Sequence, residues 1–202
     1  GLGFMIEGHL AVAAASSGGL MVRVDPERSE ELAAMEAVLH ERIVAIEDTL
    51  ELTPAHPHVV NLTSRGANAE GAGEITIADL VRQSLRMRPD RIVVGEIRGG
   101  EVVDLLAALN TGHDGGAGTL HANSIEEVPA RFEALAALGG LDRAGLHAQL
   151  GAAIEVVLVV KRRADGIRYL QQIGVLEGDP VRARVVWDAE RGALDGYEEL
   201  AR

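Results

Sequence analysis

Apolar positions in this chain follow two different spacings, and the change between them divides it. Ile77, Leu80, Val81 and Leu85 recur three and four apart, which predicts an amphipathic helix from Thr76 or Ile77 to Met87. Arg82, Arg86 and Arg88 lie on its other face. Pro89 cannot continue a helix and pushes Arg88 towards extended geometry. Residues 91–97 then run Ile-Val-Val and predict a short buried strand of a parallel sheet. Residues 42–46 predict a second such strand, and residues 59–62 an extended piece. Asp25-Pro26-Glu27 is a helix start, with the helix running to about Leu39. Further helices are expected from Gly99 or Gly100 through Leu109, from a capping box at Ser124–Glu127 to about Leu138, and from Asp142 to Leu150. Residues 119–121 suggest a short strand, and residues 10–15 suit a strand or a short helix equally. Residues 154–160 form an apolar strand. Beyond it the period falls to two, so residues 167–176 and 181–187 predict an antiparallel pair.

Strands alternating with helices predict an α/β core, a mostly parallel sheet covered by helices, over residues 1–162. Residues 163–202 form a small C-terminal β-hairpin tail, and residues 1–40 are the least regular part of the core. Apolar content of 47% with 2% aromatic means a core of Ala, Val, Leu and Ile. A formal charge of −12 argues against a general nucleic-acid surface. With no cysteine, disulfides and thiolate metal sites are excluded. No apolar run reaches membrane-span length, and residues 1–19 lack the basic start of a signal peptide. The chain starts at Gly1, so a fragment is one expectation.

Three groups of polar residues follow predicted strands: Glu47-Asp48, Glu96 with Arg98, and His121-Ala122-Asn123-Ser124. A parallel sheet brings such strand ends to one edge, where ligands of open α/β sheets bind. Two acids and a His converging there suit metal-assisted phosphoryl transfer. Each alone has a plainer reading: Glu96 paired with Arg98, a structural His121, and Ser124 as a helix cap.

The order of four motifs goes further. Ile46-Glu47-Asp48-Thr49, Gly71-Ala72-Gly73-Glu74, Arg88-Pro89-Asp90-Arg91 through Gly95-Glu96-Ile97-Arg98, and Gly112-His113 with Thr119-Leu120-His121 stand in sequence. In this the chain resembles the C-terminal domain of type II/type IV secretion traffic ATPases, and most of all their tight-adherence (Tad) branch. The resemblance implies a RecA-like P-loop NTPase core and a homo-hexameric ring. It also implies ATP-driven protein export or pilus assembly against an inner-membrane platform protein. Such a chain would be cytoplasmic, at the inner face of the bacterial plasma membrane, with ATP and Mg²⁺ as cofactors. It implies that Glu96 is the catalytic carboxylate of an atypical Walker B and that Glu47 and Asp48 belong to an acidic box that helps place water and metal. His121 would meet the γ-phosphate region, with His113 in the same box. Arg86, Arg88 and Arg98 would brace the site or reach a neighbouring subunit's nucleotide.

One motif of that family is missing. A Walker A loop needs Gly-x-x-x-x-Gly-Lys, yet the first lysine here is Lys161. Ser17-Gly18-Gly19 resembles the loop's start, and Asp25 falls where its lysine belongs. An acid there opposes phosphate at a helix mouth. The sequence therefore leaves three readings open: an ATPase domain with an altered front end, a folded pseudo-ATPase, or an interaction module without nucleotide.

Overall fold

The computed structural model describes residues 2–6, 9–13, 41–52, 54, 56–112 and 116–200. The helix expected from Asp25, together with Gly18, Gly19 and His113, lies outside the described residues. The chain groups into two compact units that interleave along it: Gly1–Ile97 with Gly112–Thr119, and Arg98–Thr111 with Leu120–Arg202.

In the first unit β1 (Leu2–Ile6) and β2 (His9–Ala13) pair as an antiparallel hairpin, which decides residues 10–13 for strand. β3 (Ile43–Glu47), β4 (Val59–Thr63), β5 (Arg91–Val94) and β6 (Ala117–Gly118) form a parallel sheet in the order β4-β3-β5-β6. Every residue of β3 and β5 is buried. A strand covered on both faces has no polar alternation, which is why both read as continuous apolar runs. Val44, Ile46, Ile92 and Val94 have no exposed surface, and each such side chain stabilises by about 1.5–3 kcal/mol.

Within the crossover from β4 to β5 lies α1 (Ile77–Ser84). Thr76 Oγ1 accepts from the Asp79 amide at 3.1 Å, and Asp79 Oδ2 accepts from the Thr76 amide at 3.1 Å, closing a capping box. The helix ends at Ser84 rather than Met87, and a 3₁₀ turn, Leu85–Met87, follows. Arg88 then takes φ 50°, ψ 58°, not the extended geometry expected before Pro89. The left-handed region costs a non-glycine residue about 1–2 kcal/mol. Arg42 offsets that cost, since its Nη1 donates to the Met87 carbonyl while its Nε donates to His58 Nε2 at 3.0 Å. Arg91, also at the sheet's amino-end edge, is 5% exposed and pairs with Glu41.

The second unit holds α2 (Glu101–Leu109), α3 (Val128–Leu138), α4 (Arg143–Ala153) and an antiparallel sheet. Its strands are β7 (Val156–Arg162), β8 (Arg168–Glu177), β9 (Arg182–Asp188) and β10 (Gly192–Ala193), in the order β10-β9-β8-β7. A last short helix, α5, covers Tyr197–Leu200. The apolar strand expected at residues 154–160 thus joins the tail's sheet, which has four strands rather than a hairpin's two. Asp142 caps α4 as expected, accepting from the Gly145 amide at 2.7 Å. The capping box expected at Ser124 does not form, because Asn123 Nδ2 takes Glu127 Oε2 at 2.8 Å. His147, buried, accepts the Val181 amide on Nδ1 at 3.0 Å, so its proton sits on Nε2, facing Glu133 Oε1 at 2.9 Å. Arg143 and then His147 hold the Glu133 carboxyl below its usual range.

Two tests follow from this packing. A Cβ on Gly174 would stand 2.2 Å from Ile125 Cδ1 and 3.0 Å from the Arg184 carbonyl. Gly174→Ala is therefore expected to cost about 1–3 kcal/mol in urea unfolding. Adding Ile125→Val, which deletes the clashing methyl, should recover part of that loss. Separately, the Thr76 hydrogen bonds and then Arg82 lower Asp79 from 3.8 to about 2. A depressed carboxyl pKa stabilises above the unfolded value, so the cap should persist below pH 4 and fail as pH falls through about 2. An NMR titration of Asp79 reads this directly.

Candidate active site

Parallel pairing sets Ile46 beside Val94, and Val94 beside Gly118, so Glu47, Gly95 and Thr119 follow at one edge of the sheet. Glu47 ends β3 and is 6% exposed. Its two carboxylate oxygens accept from the Glu51 amide at 3.3 and 3.4 Å and from the Leu52 amide at 3.1 Å each. Buried carboxylates need such partners, and here the partners are the turn that follows β3. Gly95 leaves room for that side chain: a Cβ on it would stand 2.7 Å from Glu47 Cγ. The Gly95 amide donates to Ile46 O at 2.8 Å, and the Thr119 hydroxyl donates to the Gly95 carbonyl. The Ile97 amide donates to Thr119 O at 2.8 Å. The peptides on both sides of Glu96 are thereby fixed, and Glu96 itself is half-buried.

Asp48 is exposed and accepts from Ser64 Oγ at 2.9 Å. Glu47, Asp48 and Glu96 belong to the first unit, while Arg98 and His121 fall in the second. Arg98 is exposed, and its amide, like that of Gly99, donates to Glu101 Oε1, at 2.6 and 2.8 Å. His121 is exposed and lies past the end of β6, since the strand expected at residues 119–121 occupies Ala117–Gly118. Arg86, in the 3₁₀ turn, donates to Gln83 of α1 at 2.6 Å, and Arg88 is exposed. Among the described residues no three His, Asp or Glu form a metal cage. The donors present are carboxylate oxygens, which fit Mg²⁺: that ion takes one or two carboxylates and keeps its waters. Sequence reasoning placed Gly95 and Thr119 in motifs without assigning them these contacts, and it did not single out Ser64 or Glu101. Only Glu101, an acid in a helix's first turn, carried a local signal.

A family model described as type II/IV secretion system protein matches residues 31–166, more than half of the chain. The chain belongs to that family. A putative conjugal transfer protein of Mycobacterium tuberculosis is 64% identical over 163 residues, 79% of this chain and 46% of that protein. The type IV secretion system protein PtlH of Bordetella pertussis is 40% identical over 131 residues, 61% of this chain and 38% of that protein. The crystal structure of the VirB11 ATPase from the Brucella suis type IV secretion system, in complex with sulphate, matches with a TM-score of 0.56 at 29% identity. That match covers 71% of this chain and 43% of the other. The fold of this secretion-family chain is therefore RecA-like α/β, and it spans about half the length of the curated relatives it matches.

The contacts of Glu47 separate it from Asp48 experimentally. Glu47→Gln puts an amide group against two backbone donors and is expected to cost about 1–3 kcal/mol in a urea melt. Asp48→Asn, at an exposed position, should stay within about 0.5 kcal/mol of the parent.

Proposed function

We propose that the chain is the ATPase domain of a secretion or pilus-assembly machine of the tight-adherence type. Within it ATP hydrolysis drives protein export or pilus biogenesis. It works as one copy of a homo-hexameric ring, on the cytoplasmic face of a bacterial plasma membrane, against an inner-membrane platform protein. The supporting observation is the strand-end edge where Glu47, Gly95 and Thr119 hold the segment bearing Glu96. In this reading Glu96 orients the attacking water. Asp48 offers an oxygen to a hydrated Mg²⁺, and Glu47 shares in that acidic box by holding the turn after β3 in place. His121 and His113 face the γ-phosphate region, and Gly18, Gly19 and Arg98 contact the nucleotide. The metal, when bound, neutralises charge on the β- and γ-phosphates.

A second reading has its own observation. The sequence has no Gly-x-x-x-x-Gly-Lys run, so the lysine and amide nest that hold phosphate in this fold are missing from it. We therefore expect weak or no ATP hydrolysis by this chain, which would take a place in the ring without turnover. Titration with a fluorescent ATP analogue, with and without Mg²⁺, tests both readings. Micromolar, Mg²⁺-dependent binding supports the enzyme, and no binding at millimolar nucleotide supports the pseudo-ATPase. Turnover that Glu96→Gln abolishes would overturn the inactive reading and assign Glu96 its role.

A further inference from the structure

The antiparallel sheet of the second unit ends on one side at β10, two residues long, and on the other at β7, which has seven. Short edge strands, charges, prolines and bulges are the devices that stop an edge from pairing with another chain. Residues 156–160 of β7 read Val-Val-Leu-Val-Val and carry none of them. The irregularity in this ladder falls on β8, where Gln171 is passed over between the pairs Val159–Gln172 and Val160–Leu170. The edge strand itself therefore runs unbulged. Its apolar residues are half-buried on both faces.

Two bonds fix which way the β7 backbone points. The Leu176 amide donates to Glu155 O at 3.2 Å, and the Arg163 amide donates to Ile167 O at 2.8 Å. In an antiparallel ladder alternate residues turn both main-chain groups towards the same neighbour. Glu155, Val157, Val159, Lys161 and Arg163 therefore face β8. Val156, Leu158, Val160 and Arg162 send their amides and carbonyls the other way. Among the described residues no strand pairs with β7 on that outer side, and no backbone hydrogen bond is made there.

The charges at the two ends of β7 point to its occupant. Glu155 precedes the strand, Lys161 and Arg162 close it, Arg163 follows, and all four are exposed. A strand negative at one end and positive at the other complements itself when reversed, whereas a parallel copy sets like charge against like. We propose that β7 is an interface between two copies of this chain, which pair edge to edge and antiparallel about a two-fold axis. With the axis at Val159, Val156 pairs with Arg162 of the second copy and Leu158 with its Val160, so every outward group finds a ladder bond. Glu155 then stands directly opposite Arg163 of the second copy, at both ends. Such a contact closes at two copies and is separate from the head-to-tail surface that a ring requires. One strand edge is small beside the roughly 800 Å² a side of a stable interface, so monomer and dimer exchange. The contact stands whether or not the chain binds nucleotide.

Sedimentation velocity on the purified chain from about 1 to about 300 μM, the range of weak dissociation constants, tests this. The mass should move towards twice that of the chain as concentration rises. Glu155→Arg alone and Arg163→Glu alone each set like charges opposite one another at both ends, and each should weaken association about ten-fold. An equimolar mixture of those two variants, in which each acid again meets a base, should restore it. Amide exchange followed by NMR gives a second measurement. Val156, Leu158 and Val160 should exchange faster than Val157 and Val159 in the dilute chain, and slow as concentration rises. The proposal is overturned by a chain that stays monomeric throughout, or by association that the charge variants leave unchanged. Outer amides already protected at the lowest concentration would also overturn it, because the chain would then cover this edge itself.

Discussion

The Glu47 carboxylate sits where two strands end and a turn begins, and the candidate site depends on how it is satisfied. Its burial would be costly without the Glu51 and Leu52 amides, so the turn after β3 closes around it. Its methylenes occupy the space that a side chain on residue 95 would need. Gly95 is thus required by contact rather than by its own backbone angles. Once Gly95 is placed, the Ile46 and Thr119 contacts define the peptide that leads into Glu96. One buried acid therefore orders the acidic box and the segment carrying the second acid.

The two edges of the parallel sheet use charge differently. At the amino ends Arg91 with Glu41, and Arg42 with His58, Met87 and Asp90, tie three strands together. Those groups are spent on the fold. At the carboxyl ends the acids stand beyond the last apolar residue, where a parallel sheet leaves backbone groups and side chains open to a ligand. Charge thus holds the fold at one edge of this sheet and stands open to a ligand at the other.

Several local features were legible because their causes are local. Asp142 caps α4 since a short acid side chain reaches the amide three residues on, whatever surrounds it. The apolar runs Ile-Val-Ala-Ile and Ile-Val-Val give β3 and β5 because only burial on both faces tolerates them. Ser124 shows the limit: its capping pattern is intact in sequence, but Asn123 competes for Glu127 and wins. Arg88 shows another, since the region it occupies depends on Arg42, forty-six residues away by subtraction of their numbers.

By itself the sequence determined most element types among the described residues, the α/β class and the succession of acids after strands, because these rest on periodicity and on residue chemistry at short range. Its motif order also identified the family to which residues 31–166 belong. Only the tertiary structure decided that β7 joins the antiparallel sheet, that Glu47 spends its oxygens on the turn behind it, and that Arg162 faces Arg168. Strand partners and hydrogen-bond acceptors are chosen by residues distant in the chain, and no local pattern encodes which of several chemically equal partners comes within reach.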